Sequence, residues 1–253
     1  MKYDLIFGDC LDEMKNLPDN SVDLILCDLP YGTTKCKWDV IIPFASLWEQ
    51  YKRVIKANGA ILLFGSEPFS SSLRLSNIEW YQYDLYWVKE KPTNFMMVKK
   101  RAGKLTENIC VFYENQPTYN PQMIKYDGPL RTNKPKDGKV FDSIVSAQSK
   151  TKIKPYTDTG YRYPCDVLNF RRVILGKTIH PTEKPVPLLE YLIKTYSNEG
   201  DTVLDNCMGS GSCGEACINT NRNFIGIEKD NDYFLKAKQR IDDIYNQNLF
   251  EIK

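Results

Sequence analysis

One histidine, His180, stands in 253 residues. A Ser-His-Asp triad would have to be built around it, and a multi-histidine metal site has no second imidazole, so no metal site is expected. The eight cysteines lie at 10, 27, 36, 110, 165, 207, 213 and 217, and no two form a C-x-x-C pair. That excludes a zinc ribbon or dithiol shuttle, and the thiols read as reduced, mostly small core residues. No G-x-x-x-x-G-K-[ST] is present, which argues against a phosphate-cradling P-loop. No uncharged run approaches the ~20 residues needed to span a bilayer. Met1-Lys2-Tyr3-Asp4 leads into a short apolar segment unlike a secretory signal, so a cytoplasmic protein with no membrane partner is expected.

What is present suits one α/β domain with an insert: 42% hydrophobic and 26% charged residues are ordinary for a globular chain. The net charge of +2 hides an uneven distribution. Residues 115–177 carry twelve Lys/Arg and five Asp/Glu, which leaves the remainder at −5. Seven aromatics are interleaved there (Tyr119, Tyr126, Phe141, Tyr156, Tyr161, Tyr163, Phe170), a mixture suited to phosphate contacts and base stacking. A solvated basic loop region would have the same composition.

Strand and helix patterns alternate on both sides of this stretch. Leu5-Ile6-Phe7 is a short strand ending at Gly8-Asp9, and residues 21–27 hold the apolar run of a buried parallel strand. Residues 43–56 read as a helix with Pro43 at its start and Gly59 as its stop. Strands are predicted at 60–64, 83–88 and 108–113, and a helix at 67–76. From 115 to 177 no periodicity is sustained, which marks an insert. A helix at 186–196, a strand at 202–205, a helix from Cys213, a strand at 223–227 and a helix from Asp230 complete the alternation. The predicted fold is α/β with a mostly parallel sheet.

Two strand ends carry candidate chemistry. Val203-Leu204-Asp205-Asn206-Cys207-Met208-Gly209-Ser210-Gly211-Ser212 is an apolar strand followed by G-x-G at a helix entry, a loop that lets backbone approach a ligand, or simply a tight turn. The next strand ends at Glu228, at a spacing that suits a carboxylate accepting from ribose hydroxyls; a surface acid is the plainer reading. A nicotinamide cofactor would fit these two features as well.

The discriminating motif is Asp28-Leu29-Pro30-Tyr31-Gly32, placed after the strand that ends at Cys27. It resembles the [DNS]-P-P-[YFW] motif of the amino-methyltransferases of DNA, with Leu29 in place of the first proline. The family uses the backbone carbonyl there, which leucine also supplies. Gly8-Asp9 looks like the family's acidic motif for the cofactor adenine, and Leu62 to Ser66 like its next strand. His180-Pro181-Thr182-Glu183-Lys184-Pro185 is similar to its H-P-x-x-K-P segment, and Val203 to Ser212 to its glycine loop, although Asp205-Asn206-Cys207 replaces the commoner Asp-Pro-Phe. The motif order resembles the β group, a circular permutation of the methyltransferase fold.

The resemblance implies a permuted, Rossmann-like S-adenosylmethionine-dependent methyltransferase fold. Residues 1–114 would be the catalytic half, 115–177 an inserted target-recognition region, and 178–253 the cofactor-binding half. The implied reaction is methyl transfer to N6 of a flipped adenine in double-stranded DNA. Asp28, Leu29, Pro30 and Tyr31 would be catalytic: Asp28 and the carbonyl of Leu29 accept the amine hydrogens while Tyr31 stacks on the base. Asp9, Asp205, Asn206, Cys207, Gly209, Gly211, Glu228, His180 and Lys184 would hold the cofactor. Methylation of cytosine N4, more often with Ser at the position of Asp28, is the alternative, and a DNA-binding relative without catalysis another. A homodimer and a cognate restriction endonuclease are candidate partners. Cytosine-C5 chemistry would need a nucleophilic cysteine in Pro-Cys-Gln, whereas Cys165 is followed by Asp166.

Overall fold

The computed structural model describes residues 1–34, 36, 39–130, 132–133, 156–173 and 183–251, without the side chains of 95, 132–133, 156 and 249–251. Two compact units divide the chain: Met1–Asn120 with Cys165–Lys253, and Pro121–Pro164.

The first unit grows from strands whose side chains alternate between two cores. In β2 (Val22–Cys27), Leu24 and Leu26 face one core, Ile25 and Cys27 the other. β3 (Ile55–Gly65) repeats this with Ala60, Leu62 and Phe64 against Ile61 and Leu63. The remaining strands of this sheet are β1 (Tyr3–Phe7), β4 (Tyr81–Val88), β5 (Thr106–Phe112), β10 (Val167–Asn169), β11 (Thr202–Asp205) and β12 (Asn223–Glu228). Their order is β1-β12-β11-β2-β3-β5-β4-β10. All neighbouring pairs are parallel except those of β5, which runs antiparallel to β3 and β4.

Helices cover both faces. α1 (Cys10–Glu13), α2 (Phe44–Val54) and α3 (Phe69–Ser76) pack on one, and α4 (Val186–Tyr196), α5 (Ser212–Asn219) and α6 (Asn231–Glu251) on the other. In α2, Leu47, Trp48, Tyr51 and Val54 recur at helical spacing and are buried, so its apolar stripe faces the core.

The topology positions the site. From β2 the chain crosses through α2 to β3 on one side, and from β11 through α5 to β12 on the other. The strand order reverses between β2 and β11, and at such a switch point the carboxyl ends of the strands open into a crevice. The last two strands in sequence lie between β1 and β2, as a circular permutation requires.

One expectation changes, and two short elements are added. Gly59 does not stop the helix: α2 ends at Val54, Ile55 is extended, and Gly59 lies within β3. A Cβ there would sit 2.8 Å from the Asp23 carbonyl oxygen, so glycine permits the close approach of β2. The four-residue α1 and three-residue β10 are too short to show a period. Pro43, Phe44 and the apolar spacing fit their expected places.

In the second unit, β6 (Ile124–Lys125) pairs antiparallel with β9 (Tyr161–Arg162), and β7 (Thr132–Asn133) with β8 (Tyr156–Thr157). Arg162 bonds the Asp158 carboxylate twice at 2.7 Å and lies 4.1 Å from the Tyr126 ring centroid. Much of the basic stretch, including Phe141, lies outside the described residues. Among the described residues no helix is long and apolar enough to cross a membrane.

Candidate active site

The crevice between β2 and β11 is lined from both halves of the first unit: Asp9 after β1, residues 28–31 after β2, Lys184 before α4, residues 205–210 after β11, and Glu228 at the end of β12. These segments are far apart in sequence and adjacent because the strands are parallel and in register, Phe7 opposite Glu228 and Val203 opposite Leu24.

Asp28 directly follows the buried strand β2 and is held from two sides. The Tyr31 hydroxyl donates to Oδ1 at 2.6 Å, and the Lys184 ammonium donates to Oδ2. Burial alone would lower the Lys184 pKa, but Asp28 and Glu107 outweigh it and hold the ammonium above its ordinary value. Burial and the neighbouring carboxylates of Asp28 and Glu107 push the Tyr31 phenol up, so it remains a donor. The Tyr31 ring stacks on Phe69, centroids 4.9 Å apart and planes 24° apart. Leu29 is buried among the α2 and α3 side chains, which fixes the backbone beside Asp28.

Beyond Tyr31 the chain turns at Gly32, with φ +66°. Asp39 clasps the turn, accepting from the backbone N–H groups of Gly32, Thr33 and Thr34 at 2.8, 2.9 and 2.6 Å. Burial opposes its ionisation, but these hydrogen bonds prevail and hold Asp39 below the ordinary aspartate range.

Across the crevice, Asp205 is buried and its pKa is pushed up to about 7, mainly by burial and further by Asp28 and Glu228. Its Oδ1 accepts from the Cys207 N–H at 3.1 Å. Asn206 accepts from the buried Tyr51 hydroxyl at 2.5 Å, so α2 orients the glycine loop from below. Glu228 accepts from Gly209 N at 2.9 Å and Asp230 N at 2.8 Å, and burial raises its pKa. Asp9 caps α1, accepting from Leu11 N at 2.9 Å.

Eleven of the thirteen sequence-predicted site residues line this crevice. Gly211 does not: it begins α5 with φ +75°, and a Cβ there would lie 3.1 Å from Ala237 of α6, so it serves the turn and the packing. His180 lies outside the described residues, as do Pro181 and Thr182. Sequence reasoning missed Asp39, Tyr233 and Phe64, which line the crevice, and Glu107, which supports it from β5. Glu107 bonds Lys89 at 2.9 Å and stands 3.8 Å from Lys184. A charged residue in the polar start of a strand that turns apolar only at Ile109 was its only signal.

Six carboxylates and two lysines line the crevice, an acidic surround that suits a cationic, hydroxyl-bearing ligand and repels a pyrophosphate. This disfavours the nicotinamide alternative. An aspartate-led aromatic loop facing a glycine loop across the switch point of a permuted Rossmann-like sheet defines a methyltransferase of the nucleoside-cofactor type. The chain belongs to the DNA methylase family, whose sequence model matches residues 22–239. It is 29% identical over 259 residues to the type II methyltransferase M.HpaI of Haemophilus parainfluenzae, covering 97% of this chain and 76% of that one. It is 28% identical over 250 residues to the DNA adenine methyltransferase YhdJ of Escherichia coli, covering 94% and 82%. A crystal structure of the M1.HpyAVI–SAM complex is similar with a TM-score of 0.61 and 26% identity, over 94% of this chain and 98% of that one.

Proposed function

We infer that the protein uses S-adenosylmethionine to methylate N6 of adenine in double-stranded DNA. The observation that carries this reading is Asp28, held in the wall of the acidic crevice with its carboxylate oriented by Tyr31 and Lys184.

The cofactor fits the residues present. Asp205 and Glu228 are acids whose raised pKa values would be relieved by a cationic ligand, and Glu228 has acceptor capacity left for ribose hydroxyls after two backbone bonds. When bound it supplies an electrophilic methyl group. The chain's part is to prepare the nucleophile. The amine of adenine is a poor one, because its lone pair is delocalised into the ring. Asp28 and the Leu29 carbonyl each accept one amine hydrogen and so favour the pyramidal geometry in which the lone pair is localised. Tyr31, braced by Phe69, offers a ring for the flipped base, and such a stack contributes ~1–3 kcal/mol against an unstacking cost of a few kcal/mol.

Adenine is favoured over cytosine by Asp28 standing where the cytosine-N4 group more often has serine, and by the likeness to an adenine methyltransferase. The basic stretch 115–177 supplies target recognition in this reading, and Asp9, Asn206, Cys207 and Lys184 border the cofactor. A second copy and a cognate restriction endonuclease are candidate partners, to be tested by native mass and by co-purification. The reading itself is tested by incubating the protein with methyl-labelled cofactor and mixed-sequence DNA, then identifying the labelled nucleoside. N6-methyladenine is expected; N4-methylcytosine alone would transfer the assignment to the alternative.

A further inference from the structure

Between β4 and β5 the sheet extends as a hairpin, residues 89–105, that methyl transfer as described above does not use. Its legs are joined by hydrogen bonds from Lys89 N to Leu105 O at 2.8 Å and from Thr93 N to Lys104 O at 3.0 Å. Asn94 closes the turn, its side chain accepting from Lys104 N at 2.6 Å and donating to Ala102 O at 3.1 Å. The base of the hairpin stands on the active site. Lys89 pairs with Glu107, Glu107 adjoins Lys184, and the Lys104 ammonium donates to Ser66 Oγ just beyond the end of β3.

On this braced stem the tip is apolar and exposed. Met96, Met97 and Val98 are 83%, 42% and 49% accessible, and Lys99, Lys100 and Arg101 follow directly. Residues 91–104 hold five Lys/Arg and no Asp/Glu. An apolar triplet left in water is unfavourable unless something covers it. The uniformly cationic flank selects a polyanion, and the polyanion with an apolar interior is stacked duplex DNA. Methionine is among the side chains that proteins insert between base steps.

We propose that the 91–104 hairpin is a DNA wedge: Met96, Met97 and Val98 enter the stack beside the target and fill the space the flipped base leaves, while Lys99, Lys100 and Arg101 grip the flanking phosphates. This rests on the DNA-methylation reading and adds the element that drives extrusion. Tyr31 acts on the base only after it has left the helix, so a separate device on the duplex side is needed, and this hairpin is rooted beside the pocket.

The test compares wild type with the Met96→Ala, Met97→Ala, Val98→Ala triple variant on two DNAs that carry a site mapped from wild-type methylation. One is fully paired, and the other has an abasic position opposite the target adenine, so extrusion is already cheap. The wedge predicts a loss of about tenfold or more in kcat/KM on paired DNA, the scale of one lost base stack. It predicts far less loss on the abasic duplex and unchanged cofactor affinity. Equal losses on both DNAs, or none on the paired one, would overturn the wedge while wild-type methylation stands. If the mapping step finds no wild-type methylation of duplex DNA, the DNA reading falls and the wedge with it.

Discussion

Lys184 and Asp28, 156 positions apart in sequence, meet as an ion pair in the crevice. The pair continues inward as an alternating series: Asp28, Lys184, Glu107, Lys89. Together with the Tyr31 hydroxyl on Oδ1, the ammonium on Oδ2 fixes the orientation of the Asp28 carboxylate.

Replacing Lys184 with methionine removes that cation and leaves Asp28 and Glu107 without their shared partner. The Asp28 carboxylate then loses the donor that holds Oδ2, and the single-turnover rate should fall by about tenfold or more. Breaking such a buried pair costs about 3 kcal/mol, visible as a melting temperature several degrees lower. A rate equal to wild type would separate Lys184 from the positioning of Asp28.

Asp205 gives a pH dependence. Its folded pKa of about 7 lies above the ordinary 3.8, so between those values the folded chain holds a proton that the unfolded chain has released. Its contribution to stability is therefore complete below the unfolded value and is lost as pH rises through about 7. A cationic ligand favours the ionised form, so cofactor binding should tighten as pH rises through the same range and release a proton. Calorimetry in two buffers of different ionisation enthalpy measures that proton, and Asp205→Asn should abolish it.

Glu228→Ala should weaken cofactor binding by roughly ten- to a hundredfold, the range expected for charge-assisted hydrogen bonds lost to ribose. The loss includes the bond that fixes Gly209. DNA affinity should hold, and unchanged cofactor affinity would remove Glu228 from the adenosine site.

Exchanging lysines and arginines between 125 and 177 for alanine should flatten the salt dependence of DNA binding, by about 0.9 in slope for each phosphate that is no longer neutralised. A constant slope would reduce the basic stretch to solvated surface.

Most of the crevice was legible because its residues stand at strand ends, where motif and secondary structure coincide: Asp28 after an apolar run, Glu228 after another. The charge series was not. Lys184 belonged to a recognised segment, but its bond to Asp28 depends on α4 packing against β2, a neighbour relation no local pattern encodes. Glu107 stands on a strand whose apolar reading began one residue later, and Asp39 acts through backbone N–H groups that carry no sequence signal. The antiparallel course of β5 was equally hidden, because a buried strand reads the same in either direction.

The most direct test of the account is single-turnover methyl transfer to duplex DNA by wild type and Asp28→Ala, with cofactor affinity measured on both. Wild type should form N6-methyladenine. The variant should bind cofactor normally and lose on the order of 10²–10³ in rate, because the acceptor acts most strongly as the amine gains positive charge. An Asp28→Ala enzyme with a near-normal rate would contradict the assignment of Asp28 as the group that prepares the amine.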